Sequence, residues 1–181
     1  DGTYTGNLAP GTHEVVFSLA GFAPQTHTVE ITADIATVLD VALVDILGPV
    51  IANVSQPVAT SDVVGPYPIS ATITDASTVA SAILHVKVGA GAWSETPMTG
   101  TYPNFSANIG GEPVNTSIQY YVSATDGAGL GSVDPAGAPA ETYSLVITSL
   151  AYTHTAEADA GWQLGAPGDL ADAGVWVRAD P

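Results

Sequence analysis

Residues 79–98, VASAILHVKVGAGAWSETPM, decide the fold. In this stretch the apolar residues Ala82, Leu84 and Val86 alternate with polar ones, a Gly-rich turn follows, and a second run begins. Alternation with period two is typical of strands with one buried face, and a short turn between two such runs indicates a hairpin. We therefore expect the neighbouring sequence to supply further strands that pack on this hairpin.

The composition favours an all-β fold class. The chain has 181 residues, and 46% of them are hydrophobic, which is enough for sizeable cores. Lys and Arg together number only 2, so the Leu, Glu, Lys and Arg pattern of amphipathic helices cannot recur along the chain. Thr, Val, Ala, Gly and Pro dominate instead, and this bias is typical of strands and turns.

The charge excludes several classes of function. The formal net charge is −16, and such a surface repels nucleic acid and anionic lipid, because both need clustered cations for binding. The acids are scattered along the chain, so they act either as solubilising groups or, in a few places, as Ca²⁺ ligands. There are no cysteines, which excludes disulfides and Cys-based zinc sites. No apolar run is long enough to span a bilayer.

The second unit, residues 48–149, predicts a sandwich with an immunoglobulin-like arrangement. Turn signals separate seven alternating runs, as this architecture requires. The seven predicted strands are residues 51–55, 67–74, 81–89, 92–98, 102–109, 117–125 and 141–148. The residues expected to face the core are Tyr67, Ile69, Ala71, Ile73, Leu84, Val86, Trp93, Phe105, Ile109, Ile118, Tyr120, Val122, Tyr143, Leu145 and Ile147.

The first unit, residues 1–47, predicts four strands, placed near Tyr4, at 13–19, near Val29 and at 39–43. Its sequence GTYTGNLAPGTHEVVFSLAGFAPQTHTVEITADIATVLDVAL resembles the second half of a carboxypeptidase regulatory-like domain. The resemblance implies a partial transthyretin-like β-sandwich used as a spacer or accessory module, with no catalytic residues. The opening strands of that family would precede Asp1, so we expect an open sheet edge, which is a site for strand pairing.

The rest of the chain resembles modules of large secreted bacterial proteins. The runs GPVIANVSQPVATSDVVGPYPISATITD, ILHVKVGAGAWSETPM and SIQYYVSATDGAGLGSVDP are similar to immunoglobulin-like or fibronectin type III-like modules. Residues 150–181 resemble the opening of a jelly-roll accessory domain, which we expect to continue beyond Pro181. The resemblances together imply tandem antiparallel β-sandwiches within a longer polypeptide.

Acidic loops are the best candidates for a binding site. Asp75 and Asp126 end predicted strands, and Asp134 follows the Gly-rich segment after Asp126. Carboxylates on loops at one end of a sandwich can bind Ca²⁺ through oxygen atoms alone. Asp followed by Gly is also ordinary turn chemistry, because Asp bonds to its own turn. The same two readings apply to a second group, Asp159, Asp169, Asp172 and Asp180.

Histidines and aromatic residues give weaker candidates. His13, His27 and His85 have the outward phase of solvated strand residues, and His154 lies near Glu157 and Asp159, which could offer metal ligands. Trp93, Tyr102 and Tyr121 would form a sugar platform if they were exposed on adjacent strands, but core packing is the alternative for Trp93.

The sequence predicts a non-catalytic protein. No Gly-x-Ser-x-Gly elbow, His-Glu-x-x-His helix or P-loop occurs. We expect an extracellular or cell-surface spacer whose partners are neighbouring modules, other copies of itself or an extracellular polysaccharide. Two alternatives remain open: accessory modules that position a secreted, peptidase-like hydrolase or bind its substrate, and a subunit of a filament or surface layer that assembles through open strand edges.

Overall fold

The computed structural model describes residues 4–57 and 59–149, and these ranges contain strands and connecting loops without a helix. The predicted all-β fold class is therefore confirmed. No helix with the length and apolar character needed to cross a membrane occurs in these ranges. The described residues up to Thr148 belong to one compact unit.

The first part of the chain is a two-stranded antiparallel sheet. It consists of β1 (Gly11–Phe17) and β2 (Gln25–Ile31), which pair from Gly11 opposite Ile31 to Phe17 opposite Gln25. The alternation predicted for these strands is present, since partly buried and exposed residues alternate along both. On the partly buried face, Phe17 packs edge-on against Tyr4 with ring centroids 5.0 Å apart.

The prediction of four strands in this part was wrong, because only two pair within the described ranges. Residues 39–45 alternate between partly buried and exposed positions, as a strand would. Backbone pairing of this run is an isolated bridge between Phe22 and Asp45, and side chains supply further bonds to it. The Tyr4 hydroxyl donates to the Leu39 carbonyl at 2.7 Å, and the Gln25 amide donates to the Ala42 carbonyl at 2.8 Å.

The second part is a sandwich of two sheets. Its strands are β3 (Val50–Ala52), β4 (Ala59–Thr60), β5 (Tyr67–Thr74), β6 (Val79–Val88), β7 (Trp93–Pro97), β8 (Thr99–Thr101), β9 (Asn104–Ile109), β10 (Ser117–Asp126), β11 (Gly131–Asp134) and β12 (Tyr143–Ile147). One sheet has the order β3-β5-β9-β8. The other has the order β4-β12-β10-β6-β7, with β11 also paired to β10. This is the strand order of an immunoglobulin-like sandwich.

All seven predicted strands are present, and β4, β8 and β11 are additional. Each additional strand has two to four residues, which is too short for an alternating pattern to be recognised in the sequence. These strands owe their conformation to pairing with a longer neighbour.

The chain crosses from one sheet to the other between β3 and β4. β3 pairs antiparallel with β5 in the first sheet, whereas β4 pairs parallel with β12 in the second. The crossing segment is fixed at Ser55, whose carbonyl accepts a 2.8 Å hydrogen bond from the Tyr120 hydroxyl. The segment from β3 to β4 is therefore hydrogen-bonded to both sheets.

The core lies between the two sheets, and in β5 and β10 every second residue is buried in it. Leu84, Ile118 and Tyr120 are completely inaccessible to solvent. Every residue predicted to face the core is buried or partly buried against it except Trp93. Trp93 pairs with Lys87 on β6, and its ring lies edge-on to Tyr121 with centroids 5.0 Å apart. The expectation of core packing for Trp93 was wrong, because the register of this edge pairing sets it beside Lys87.

The linker, residues 45–49, lies between the two parts and contacts both. The Ile46 amide donates to the Gly21 carbonyl at 2.9 Å, and the Ala23 amide donates to the Val44 carbonyl at 2.8 Å. On the sandwich side, a Cβ added at Gly48 would lie 3.0 Å from the Gly131 carbonyl oxygen on β11. The linker is thus hydrogen-bonded to the β1–β2 loop and packed on the sandwich.

Candidate metal centre

Three aspartates close the same end of the sandwich core. Asp45 follows the alternating run of residues 39–43, Asp75 follows β5, and Asp126 is the last residue of β10. Each keeps the phase of the apolar residues before it, so each points to the side that its run buries. One ligand oxygen from each of the three lies within 4.8 Å of the others.

Local turn geometry holds each carboxylate in place. Oδ1 of each aspartate accepts the backbone N–H two residues further on, which is the Asx-turn pattern. The distances are 3.1 Å from Leu47 to Asp45, 2.7 Å from Ser77 to Asp75 and 2.9 Å from Ala128 to Asp126. Oδ1 of Asp126 also accepts the N–H of Leu130 at 2.7 Å. The turn chemistry expected at Asp126 is therefore present, and it uses one oxygen of the carboxylate.

The second oxygen of two of these carboxylates has no partner among the described residues. Oδ2 of Asp45 and Oδ2 of Asp126 are both buried, and neither makes a hydrogen bond to those residues. The whole Asp126 residue is only 2% exposed. Buried carboxylate oxygens are nearly always hydrogen-bonded, paired with a cation or bound to a metal. The end of the core thus carries concentrated negative charge with open ligand positions.

Within residues 4–57 and 59–149, no cationic side chain neutralises this cluster. Of the two Lys and Arg residues of the chain, Arg178 lies outside the described residues and Lys87 lies on β6. Val79, which pairs with Asp126, is eight residues before Lys87 on the same strand, and this separation is about 26 Å at 3.3 Å per residue. Charges this far apart are screened by salt at physiological ionic strength.

Ser77 lies between two of the carboxylates. Its hydroxyl donates to Oδ1 of Asp75 at 2.7 Å. The same hydroxyl, and next the N–H of Leu47, hold the pKa of Asp45 below its ordinary value, while burial acts in the opposite direction. A hydroxyl has one proton, so it serves only one carboxylate at a time. While the Ser77 hydroxyl donates to Asp75, it leaves Oδ2 of Asp45 without that bond.

The structure brings Asp75 and Asp126 together and places Asp134 elsewhere. Asp134 lies on β11 opposite Val122, and its carboxylate accepts a 2.6 Å hydrogen bond from the Tyr143 hydroxyl. Asp45 takes the third position, and sequence reasoning missed it. Its signal was available, because an acid in the inward phase ends an alternating apolar run at all three positions. The second acidic group and His154 lie outside the described residues.

His85 is buried rather than solvated, which corrects the expectation for this residue. It is 9% exposed, stacks on Tyr121 with ring centroids 4.2 Å apart, and its Nε2 lies 2.8 Å from the Ser123 hydroxyl. Burial lowers the pKa of His85, and Glu95, 3.6 Å from Nδ1, partly offsets this effect.

The three aromatic candidates do not form one platform. Trp93 and Tyr121 are neighbours on the outer face of the six-stranded sheet. Tyr102 is 56% exposed in the turn between β8 and β9 of the four-stranded sheet.

Comparisons with known proteins assign no family to the chain. No protein-family model matches the chain, and no curated protein matches it. Among solved structures, the chain is similar to the Br derivative of BhCBM56, with 12% sequence identity and a TM-score of 0.32. The match covers 42% of this chain and 76% of the other.

Proposed function

We propose that this chain is a non-catalytic structural spacer of a larger extracellular or cell-surface protein, in which it holds neighbouring modules apart and transmits load between them. The observation that carries the proposal is the parallel pairing of β4 with β12. In chain order, β4 is the first strand of the six-stranded sheet, and β12 is the last strand of the sandwich. When the two ends of the chain are pulled apart, the force on these two parallel strands acts along the strands and in opposite directions. Their hydrogen bonds must then break together rather than one at a time.

Contacts next to this pair support the same reading. The Thr148 amide donates to the Thr60 carbonyl at 2.8 Å, which extends the β4–β12 contact by one bond. The Asn115 amide donates to the Ile147 carbonyl at 2.6 Å and ties the end of β12 to the chain before β10. The acidic surface, with a net charge of −16, keeps such a module soluble.

Single-molecule stretching tests the proposal. The fragment is held by its two ends, and the unfolding force of wild type is compared with Thr148→Pro and Thr148→Ala. Proline removes the N–H that bonds to Thr60, and it is tolerated after an extended residue such as Ile147. Alanine keeps the N–H, so it is the matched control. We expect one cooperative sandwich event whose force falls in Thr148→Pro and stays near wild type in Thr148→Ala.

Two results would contradict the proposal. One is an unfolding force in Thr148→Pro equal to that of wild type, since the pairing would then carry no load. The other is hydrolytic activity of the purified fragment, because a spacer needs no reaction centre.

A second candidate function is assembly through the first sheet. β1 and β2 form a sheet of only two strands within the described ranges, and Val16 on β1 is 63% exposed. Unpaired strand edges with apolar side chains favour pairing with another chain. Sedimentation velocity decides between the two: a monomer over a wide concentration range supports the spacer, and concentration-dependent assembly supports the filament or surface-layer subunit.

A further inference from the structure

We propose that Asp45, Asp75 and Asp126 bind one Ca²⁺ ion, and that this ion fastens the linker to the sandwich. The observation that goes beyond an acidic cluster is the state of Asp126. This residue is 2% exposed, one of its oxygens accepts two backbone N–H groups, and the other is buried without a partner in the part of the chain that the structure describes. An ionised carboxylate in this position needs a positive charge beside it.

The donor set selects a hard cation. Within the described residues, the cluster offers carboxylate oxygens and no imidazole or thiolate, which excludes the usual surroundings of zinc. Ca²⁺ takes six to eight oxygen ligands at 2.3–2.6 Å, so two ligands on opposite sides of the ion are roughly 4.6–5.2 Å apart. The three aspartate oxygens lie within 4.8 Å of one another, so one Ca²⁺ can contact all of them.

Mg²⁺ fits this site less well than Ca²⁺. Mg²⁺ usually retains several of its waters, whereas the oxygens of Asp126 are shielded from solvent. Asp45 and Asp75 are only partly buried, so water can complete the coordination of Ca²⁺ from their side.

The three ligands come from three separate segments. Asp45 belongs to the linker, Asp75 to the loop between β5 and β6, and Asp126 to the end of β10, next to the turn before β11. In the same region a Cβ added at Gly21, in the β1–β2 loop, would lie 3.2 Å from that of Ala76. An ion held here joins the linker to loops of both sheets. Its role as a clamp rests on the proposed spacer function, whereas the binding itself does not.

Calorimetric titration of the whole fragment with CaCl₂, after treatment with a chelator, tests the proposal. The aspartates outside the described residues can also bind calcium, so the decisive comparison is between variants. Asp126→Asn and Asp75→Asn keep the turn acceptor and remove one charge each. Asp62→Asn is the matched control, because Oδ1 of Asp62 also accepts the N–H two residues on, at 2.8 Å from Val64.

We expect the site affinity for Ca²⁺ to fall by at least about 100-fold in Asp126→Asn and Asp75→Asn, which exceeds the usual effect of altering a group outside the ligand shell. Asp62→Asn should bind as wild type does, and MgCl₂ should bind more weakly than CaCl₂. In chelator, Asp126→Asn should melt at a higher temperature than wild type, since it relieves repulsion between unneutralised carboxylates.

The proposal is overturned if wild type gives neither binding heat nor a rise in melting temperature with millimolar Ca²⁺, or if both variants bind as wild type does. Two variants are used because either one alone could fold poorly. Failure of the calcium proposal can be distinguished from failure of the spacer proposal. Loss of the calcium site leaves the effect of Thr148→Pro on unfolding force intact, and an unchanged force in that variant leaves the titration result intact.

Discussion

Replacement of Tyr120 by Phe removes a single oxygen atom from the centre of the sandwich. The Tyr120 side chain is completely buried, and its hydroxyl donates to the Ser55 carbonyl at 2.8 Å, in the segment that crosses between the sheets. A hydrogen bond of this kind contributes about 0.5–1.5 kcal/mol net, and a buried acceptor left unpaired costs about 1–3 kcal/mol. We expect the free energy of unfolding to fall by about 2 kcal/mol.

Urea denaturation measures this change. With a dependence on urea of about 2 kcal/mol per M, which is typical of small proteins, the midpoint should fall by roughly 1 M. Tyr102→Phe is the control, because that side chain is 56% exposed and such surface changes usually stay within about 0.5 kcal/mol. A midpoint for Tyr120→Phe that equals the control, with an unchanged slope, would refute the reasoning about the crossing segment.

Three further predictions concern titration and packing. Burial raises the pKa of Tyr120 and of Tyr143 to about 12. Both side chains therefore stabilise the fold fully below pH 10 and lose this contribution as pH rises towards 12. Absorbance at 295 nm and circular dichroism, recorded together, measure this loss. Burial lowers the pKa of His85, so its contribution is complete above pH 6.5 and declines as pH falls below that value. By NMR titration, Glu95→Gln should lower the pKa of His85 further, and an increase would contradict this. Leu84→Ala, at a fully buried position, should destabilise by about 2–5 kcal/mol in urea denaturation, and a loss below 1 kcal/mol would contradict the described core.

The long strands could be predicted from the sequence because their apolar and polar residues alternate over many positions. β5, β6 and β10 each have eight to ten residues, which is enough for period two to separate inward from outward positions. β4 has two residues and pairs parallel with a strand far along the chain. Such a pairing depends on tertiary contacts, so local sequence could not predict it.

Errors on individual side chains arose where a neighbour, rather than the alternation, sets burial. His85 has the outward phase that the pattern predicted, yet the ring of Tyr121 stacks on it and shields it from solvent. Trp93 is large and apolar, but it lies on the edge strand β7 and pairs with Lys87 of β6, which places it on the outer face of the sheet. Hydrophobic character alone therefore misassigned the face of Trp93.

Two of the three residues of the candidate site could be predicted from the sequence. Asp75 and Asp126 were chosen as acids at strand ends, whereas Asp45 was overlooked because it lies in the linker. The pattern that identifies all three is an aspartate in the inward phase after an alternating apolar run. Their convergence needs the fold, because it depends on the linker packing against the same end of the sandwich.

The linker contacts both the β1–β2 loop and the sandwich, so we predict that the first sheet and the sandwich are joined rigidly. The chain has no cysteine, so paired spin labels can be placed specifically at the exposed positions Thr28 on β2 and Ser106 on β9. A second pair, Ser106 with Ser144, lies within the sandwich and gives the width expected for a rigid body. Pulsed electron paramagnetic resonance should give a distance distribution for Thr28 and Ser106 as narrow as that of the reference pair. A distribution several times broader, or one with multiple peaks, would contradict the account.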